Sequence, residues 1–485
     1  MDRLSRQTLA TLPSEVKTPG CAKGDVSAGI VHFGVGNFHR AHQAAYFDAL
    51  LNEGEKAWGI IGVSMRSSGM RDNLEPQDYL YTLAEVGEQT QLRVIGAILK
   101  ILVAPQTPQD VIDAVANSAT ELVTTTITEK GYCLGNGKVD GTHPDIIHDL
   151  ANLEAPKTTY GFLAAALIKR YQSHQQPLTI LCCDNLNRGG ERLREGVALM
   201  LTTHSPDTLN WVNEQIAFSS SMVDRVTPAT DDALVRQLSE KLTVHDAAPV
   251  SAEPFTQWVI EDHFAGKKPP LEQAGALLVA DISAFEKVKL RFLNASHSML
   301  AVMGYLMGDD FIHQAMARPL LARFADEALR LNVLPVTHVP SNMSGDTYIQ
   351  DVFTRFRNHH LPYRVLQVGS DSSQKIQQRW FPSIDDALSQ HADVSYLAFA
   401  VAAWACFVDK AVANKALNDP QKARLSACVQ QQEVVDVADL LRVAEADKFA
   451  FYQHKGFMEQ AREYQRSIAA SGIEAALKTF FNSLK

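Results

Sequence analysis

GIVHFGVGNFHRAHQAAYFDALL, Gly29 to Leu51, runs from an apolar, β-branched stretch through two closely spaced glycines into residues with helical apolar spacing. A strand, a tight turn and an amphipathic helix in that order form the opening unit of a parallel α/β sheet. Glycine at 34 and 36 permits the turn and lets backbone N–H groups approach a diphosphate, which the positive end of the following helix favours. Gly34, Gly36, Asn37 and Phe38 are therefore candidate contacts to a dinucleotide, although His39 stands where a G-x-G-x-x-G fingerprint has its third glycine. The competing reading of the same residues is a purely structural strand–helix turn.

Downstream, short β-branched runs at Trp58 to Val63, Leu92 to Ile95, Glu121 to Thr128 and Leu178 to Cys183 alternate with helical stretches. This alternation predicts a doubly wound α/β domain of Rossmann type over residues 1–282. From Ser283 the pattern changes to long helical segments, Phe285 to Met307, Pro319 to Leu331, Val394 to Val408 and Ile468 to Leu484. A loop rich in turn formers and then a helix are expected between Val333 and Leu361. Residues 283–485 should thus form a mainly α-helical domain. At 485 residues the chain is longer than one core usually serves, which also argues for two domains.

A net charge of −10, with no clustered Lys and Arg, excludes a nucleic-acid face and leaves a small molecule as the expected partner. The longest apolar stretch, Tyr396 to Val408, is too short to cross a bilayer, so no membrane partner is expected. The six cysteines are scattered apart from the adjacent pair Cys182 and Cys183, lack CxxC spacing, and read as reduced thiols. The polar N-terminus has no apolar signal core, which points to the cytoplasm. Neither HExxH nor GxxxxGK[ST] occurs, and no Cys and His cluster has zinc-ligand spacing, so no metal site is expected.

Candidate chemistry lies in five places. After the second strand, GVSMRSSGMR has no acid between Val63 and Arg71 to meet ribose hydroxyls, while Arg66 and Arg71 face either a 2′-phosphate or solvent. At other strand ends stand Glu129 and Lys130, Asp184 and Asn185, and Asp224 and Arg225, where α/β enzymes assemble their sites. In KVKLRFLNASHSMLAVMGYL, Lys289, Asn294 and His297 project at roughly 0°, 140° and 80° at about 100° per residue, one broad helix face. A lysine with lowered pKa takes an alcohol proton, and an amide or imidazole bonds the oxygen. The alternative is an amphipathic helix with a polar seam.

Taken together, GIVHFGVGNFHRAHQ, QDYLYTL, TITEKGYC, CCDN, MVDRVTP, EPFTQWVIEDHF and the K-x-x-x-x-N-x-x-H pattern resemble the polyol-specific long-chain dehydrogenases. This is the family of mannitol 2-dehydrogenase and fructuronate reductase, and the resemblance covers nearly the whole chain. It implies an NAD-dependent oxidoreductase, with NADP as the other cofactor, whose active site lies in the cleft between the two domains. It implies that Lys289 is the acid/base, that Asn185 and Asn294 hold the reacting oxygen, and that His297 orients substrate hydroxyls. Glu129 would lie on the proton path, Asp224 would support the site, and Lys375 and Arg364 would contact the far part of the substrate. Partners would be a polyol or sugar acid and, at most, further copies in a small homo-oligomer. Mannitol dehydrogenases of this kind carry two acids where this chain has Ser68 and Gly69. RVLQVGSDSSQK, with Arg364 and Gln367, is similar to the fructuronate reductase pattern, whereas the N-terminal thirty residues, KTTYGFLAAALIKRY and VAAWACFV are similar to mannitol dehydrogenases. Mannitol is therefore the first expectation and mannonate the second. A non-catalytic nucleotide-sensing protein on the same fold is the rival of another class.

Overall fold

A computed structural model describes residues 1–135, 137–431 and 435–484. The chain divides into two compact units, Met1–Ile282 and Ser283–Lys485.

The first unit is built on an eight-stranded sheet. Its strands in chain order are β1 (Ile30–Phe33), β2 (Ile60–Ser64), β3 (Ile98–Val103), β4 (Leu122–Thr125), β5 (Leu178–Cys182), β6 (Ile216–Asp224), β7 (Gln257–Glu261) and β8 (Leu277–Val279). They lie in the order β8-β7-β6-β5-β4-β1-β2-β3, all pairs parallel except β6 with β7. β1, β4 and β5 are buried along their whole length; β4 and β5 are continuous apolar or β-branched runs, and the one polar interruption in β1, His32, is hydrogen-bonded inside the sheet. The strand order reverses beside β1, and ligands of open α/β sheets bind outside the carboxyl ends at that switch point.

Two expectations are corrected here. Leu92 to Ile95 does not join the parallel sheet: Gln91–Ile95 pairs antiparallel with Tyr81–Glu85 in a separate three-stranded sheet completed by Val250–Ala252. QLRVI mixes polar and apolar residues, the pattern of a half-exposed strand, whereas ILKILV of β3 is the nearly continuous apolar run of a buried one. The helix after the glycine turn is broken at His42 into α1 (Asn37–Ala41) and α2 (Gln43–Asn52), and α2 is buried almost all round rather than amphipathic. Its Asp48 accepts from Gly96 N–H at 2.7 Å and pairs with Arg93 of the smaller sheet at 3.0 Å, so a polar group on the outer face is satisfied by the second sheet instead of by water.

The second unit is helical. The stretch expected as one helix from Phe285 to Met307 is α3 (Ser283–Val288), a π-helical turn at Lys289–Asn294, and α4 (Ala295–Met307). Likewise Pro319–Glu327 runs into a second π turn at Ala328–Val333. The loop before Leu361 leads into α5 (Gly345–Phe356), where Ser344 Oγ accepts from Thr347 N–H at 3.2 Å as its cap. Next come α6 (Ser372–Arg379), α7 (Phe381–Ser389) and α8 (Ser395–Ala413). α8 is long and apolar enough, by length and composition, to cross a membrane, but 72% of its apolar window is buried inside the protein and it forms the centre of the helical core. The expected helix from Ile468 to Leu484 is two, α9 (Lys455–Ser471) and α10 (Ile473–Ser483), because Gly472 at φ +78° reverses the chain between them.

Candidate active site

The turn after β1 is fixed by backbone sterics. Gly34 has φ +101°, and a Cβ there would sit 2.1 Å from the Thr126 carbonyl oxygen, so no other residue fits. Thr126 Oγ donates to Gly34 O at 2.7 Å, and His32 bonds Thr126 Oγ at 2.8 Å and Thr124 Oγ at 2.7 Å. His39, in the place of the third glycine, is fully buried and stacks on His32 with ring centroids 3.3 Å apart. Burial keeps both imidazoles neutral, pushing His32 down to about 3 and His39 well below its ordinary value. A Cβ at Gly36 would meet no protein atom within 4 Å, so protein packing does not demand glycine there and its backbone is open to a ligand. Asn37 turns its amide N–H groups to Pro228 O and Thr230 Oγ and accepts from Arg40, so its side chain braces the turn. Phe38 stacks on His42 at 5.1 Å.

At the same end of the sheet, beyond β2, β3 and β4, lies a cavity of about 710 Å³ whose lining includes Met65, Arg66, Ala104, Ile127, Lys130 and Phe162. Arg66 is exposed on its wall. Arg71 instead pairs with Asp72 at 2.8 Å and bonds Gln106 at 2.9 Å. Ser68 also donates to Asp72, at 2.6 Å, and these two neighbours hold that carboxyl below its usual range. Of the two arginines only Arg66 lines the cavity. The cavity lining is mixed, with Arg66, Lys130, Lys157 and Asp145 among apolar residues, and an open glycine turn at the same end of the sheet suits a dinucleotide.

The strand-end residues divide into anchors and candidates. Asp184 is an anchor: its carboxylate accepts from Ile127 N–H at 3.0 Å, Thr128 N–H at 2.9 Å and Tyr132 OH at 2.6 Å. Burial raises its pKa while those donors oppose the rise. It thereby fixes the loop that presents Glu129 and Lys130, both exposed on the short turn Glu129–Tyr132, with Thr128 held at φ +67°, an uncommon conformation for a β-branched residue. Arg225 is also an anchor, donating to Glu253 O at 3.0 Å and Ala41 O at 2.6 Å and pairing with Glu85. Asn185, exposed immediately after Asp184, and Asp224, buried at the end of β6, remain candidates.

In the helical unit the π turn changes the expected geometry. Ala295 N–H reaches back to Leu290 O, five residues earlier. In an α-helix five residues place Asn294 about 140° from Lys289. With the i→i+5 register Asn294 takes the position that i+4 holds in an α-helix, about 40° away, so both fall on one narrow strip. Lys289 is only 9% exposed. His297, farther along α4, stacks on Phe356 at 4.7 Å and meets the edge of Tyr363 at 5.4 Å. On α6, Lys375 Nζ donates to Val368 O at 3.1 Å.

Arg364 follows directly on Tyr363, whose ring edge meets His297. Its guanidinium lies over Phe311 at 5.2 Å and lines a cavity of about 230 Å³ with Tyr305 and Lys410. Tyr305 is eight residues beyond His297, about 12 Å along the helix axis. Sequence reading missed two residues. Tyr132 was hidden in a motif read for its charges, and Arg379 stands four residues after Lys375, a spacing that puts both on one helix face. Among the described residues no group of three or more His, Cys, Asp or Glu is placed to hold a metal ion.

Redox chemistry at a hydroxyl-bearing carbon needs a nucleotide to take the hydride and a side chain to take the proton, and the chain carries residues suited to each. Comparison with known proteins agrees. Models of the mannitol dehydrogenase Rossmann domain and of the mannitol dehydrogenase C-terminal domain match residues 28–273 and 281–468. The mannitol 2-dehydrogenase of Aspergillus fumigatus is 36% identical over 483 aligned residues, covering 96% of either chain. That of Aspergillus oryzae is 35% identical, covering 98% of either chain. Among solved structures, Pseudomonas fluorescens mannitol 2-dehydrogenase in a ternary complex with NAD and D-mannitol superposes with a TM-score of 0.85 at 34% identity over 99% of both chains. A D-sorbitol dehydrogenase in substrate-free form gives 0.89 at 29% identity, over 98% of this chain and 100% of the other. The chain belongs to the mannitol dehydrogenase family, oxidoreductases acting on CH–OH.

Proposed function

We propose that this protein interconverts a secondary alcohol and a ketone at C2 of an open-chain polyol, D-mannitol and D-fructose first among them, by metal-independent hydride transfer with NAD. The five-residue register that sets Asn294 on one strip with Lys289 is the observation that carries this reading. The Pseudomonas fluorescens relative, which binds NAD and D-mannitol together, supports the ligand pair. Lys289 Nζ, as the neutral amine, takes the proton of the C2 hydroxyl as the C2–H bond gives up its electron pair and the C–O bond becomes a carbonyl. In reduction its ammonium returns that proton. Bound NAD supplies the hydride acceptor, its nicotinamide ring. Asn294 and Asn185 donate amide N–H groups to the reacting oxygen, and these bonds strengthen as charge gathers there. His297 orients a neighbouring hydroxyl, Lys375 holds the far part of the substrate, Asp224 supports the site, and Glu129 passes the proton on to solvent.

A sugar acid is the second substrate class, but the guanidinium of Arg364, the cation expected to meet its carboxylate, is engaged over Phe311, and the polyol therefore ranks first. Arg66 at the cavity wall, with no acid between Val63 and Arg71, extends the cofactor choice to NADP. The test is a matrix of mannitol, arabinitol, sorbitol and mannonate against NAD and NADP, followed at the nicotinamide absorbance band. Fastest turnover of mannitol with NAD is expected. Preference for mannonate would install the fructuronate reductase reading, and no turnover of any pair would leave a non-catalytic nucleotide-binding protein.

A further inference from the structure

Arg379 ends α6, and its Nη1 donates to two groups at the junction between the π turn and α4: Asn294 O at 3.2 Å and Ser298 Oγ at 2.7 Å. The neighbouring Trp380 Nε1 donates to Ala295 O at 3.2 Å, so two successive carbonyls of the catalytic helix are gripped from the same short segment. A π turn has poorer intrinsic hydrogen bonding than the α-helix around it, and a backbone widened in this way needs outside partners to hold one geometry. Arg291, inside the same turn, shows what an ordinary scaffold cation does here: it pairs with Asp386 at 2.6 Å and donates to Val336 O. Arg379 has no such carboxylate among the described residues, and burial alone pushes its pKa down to about 10. A cation held away from water without an acid is costly, and a neutral side chain would fill the same volume at less cost.

Resting on the role proposed above for Asn294, we infer that Arg379 is a positioning residue that fixes the Asn294 backbone at the end of the π turn and so aims its amide at the reacting oxygen. It touches neither substrate nor cofactor. Its effect therefore runs through Asn294, and it falls on turnover while binding is spared. A displacement of about 1 Å at a group that holds the reacting atom is enough to cost on the order of 10²-fold in rate.

The experiment is a double-mutant cycle on the full chain, Arg379→Met and Asn294→Ala singly and together, with Arg379→Lys alongside. Thermal unfolding and NAD titration by fluorescence serve as controls. Arg379→Met is expected to lower kcat by about 10- to 100-fold with the KM for mannitol within about threefold and NAD affinity unchanged. Arg379→Lys should recover part of that loss, because one ammonium still reaches a single acceptor. On the Asn294→Ala background Arg379→Met should cost almost nothing more. The pH midpoint of kcat should stay in place. Fully multiplicative losses, a displaced pH midpoint, or wild-type kcat in Arg379→Met would each overturn the inference. Wild-type kcat in Asn294→Ala would instead remove the role given to Asn294 itself, a result separable from the others. If Arg379→Met does not fold, Arg379→Lys with and without Asn294→Ala carries the same cycle, and additivity there overturns the inference equally.

Discussion

The glycine turn after β1 and the π turn at Lys289–Asn294 both place chemistry by departing from regular backbone, but they announce themselves very differently. Gly34 is forced by a positive φ and by the Thr126 carbonyl 2.1 Å from its missing Cβ, and a glycine is visible in any sequence. The π turn is written in KLRFLN, which has neither glycine nor proline and reads as ordinary helix. An irregularity enforced by local sterics can be read locally. One enforced by tertiary contacts, here from Arg379 and Trp380, becomes visible only once those contacts are known.

The sharpest break between the two turns concerns Lys289, for which the glycine turn, which carries no acid/base side chain facing a reacting atom in the proposal above, has no counterpart. A free lysine keeps its proton up to about pH 10.4, so a base must be helped to shed it, and Lys289 is nearly sealed from water. Lys289→Ala should lower kcat for mannitol oxidation by roughly 10²- to 10⁴-fold with NAD affinity nearly unchanged, and the wild-type rate should rise with pH. Steady-state kinetics across pH check both. Retention of more than about a tenth of wild-type kcat would assign the proton to another group.

The same contrast explains how much was legible. The strand–turn–helix unit, the change to helices after Ser283, and the broad helix face bearing Lys289, Asn294 and His297 are all patterns of neighbours in the chain. The fate of Leu92 to Ile95 was not such a pattern, because whether a five-residue strand joins the large sheet or a second one depends on what covers its faces. The 140° first assigned to Asn294 followed correctly from an α-helix and failed because the helix is not one throughout. Arg364 and Lys375 belong to one motif, yet Arg364 caps toward Phe311 at one end of a short helix and Lys375 lies on the next, and a motif does not record the turn between them.

At the glycine turn the corresponding test is of stability. His32 is neutral in the folded protein down to about pH 3, whereas in the unfolded chain it takes up a proton near 6.5. Below 6.5 the unfolded state therefore binds more protons, and stability is lost as pH falls from about 6.5 toward 3. Buried His39 adds in the same direction. The contribution is on the order of a few kcal/mol. Urea unfolding between pH 7 and 4.5 should show the decline, and His32→Gln should make it shallower. An identical slope in that variant would show that His32 does not titrate on unfolding.

A smaller effect distinguishes the two cofactors. With Arg66 on the cavity wall and no acid between Val63 and Arg71, discrimination against NADP should be weaker than an acidic strand end enforces. Ser68→Asp restores an acid and should raise the NAD to NADP ratio of kcat/KM by about tenfold through repulsion of the 2′-phosphate. The carboxylate of Asp72, already bonded by Ser68, would lose that donor, so the folded state should be checked by thermal unfolding. An unchanged ratio would place the adenosine ribose away from this strand end.

The smallest effect is expected at Arg364. A carboxylate substrate would gain a charge-assisted bond from a guanidinium that faced it, a bond no neutral polyol makes, so loss of such an arginine would damage mannonate turnover selectively. Arg364 instead lies over Phe311, beside Tyr305 and Lys410, with Phe311 also paired to it through a backbone bridge. An exposed cation over a phenyl ring contributes about 0.5–1 kcal/mol, a contribution to stability rather than to recognition. Arg364→Leu should therefore change kcat/KM for mannitol and mannonate equally and by no more than about twofold, with a slight loss in unfolding midpoint. A selective fall with mannonate alone would show that Arg364 swings to the substrate, and would move the second substrate class ahead of the first.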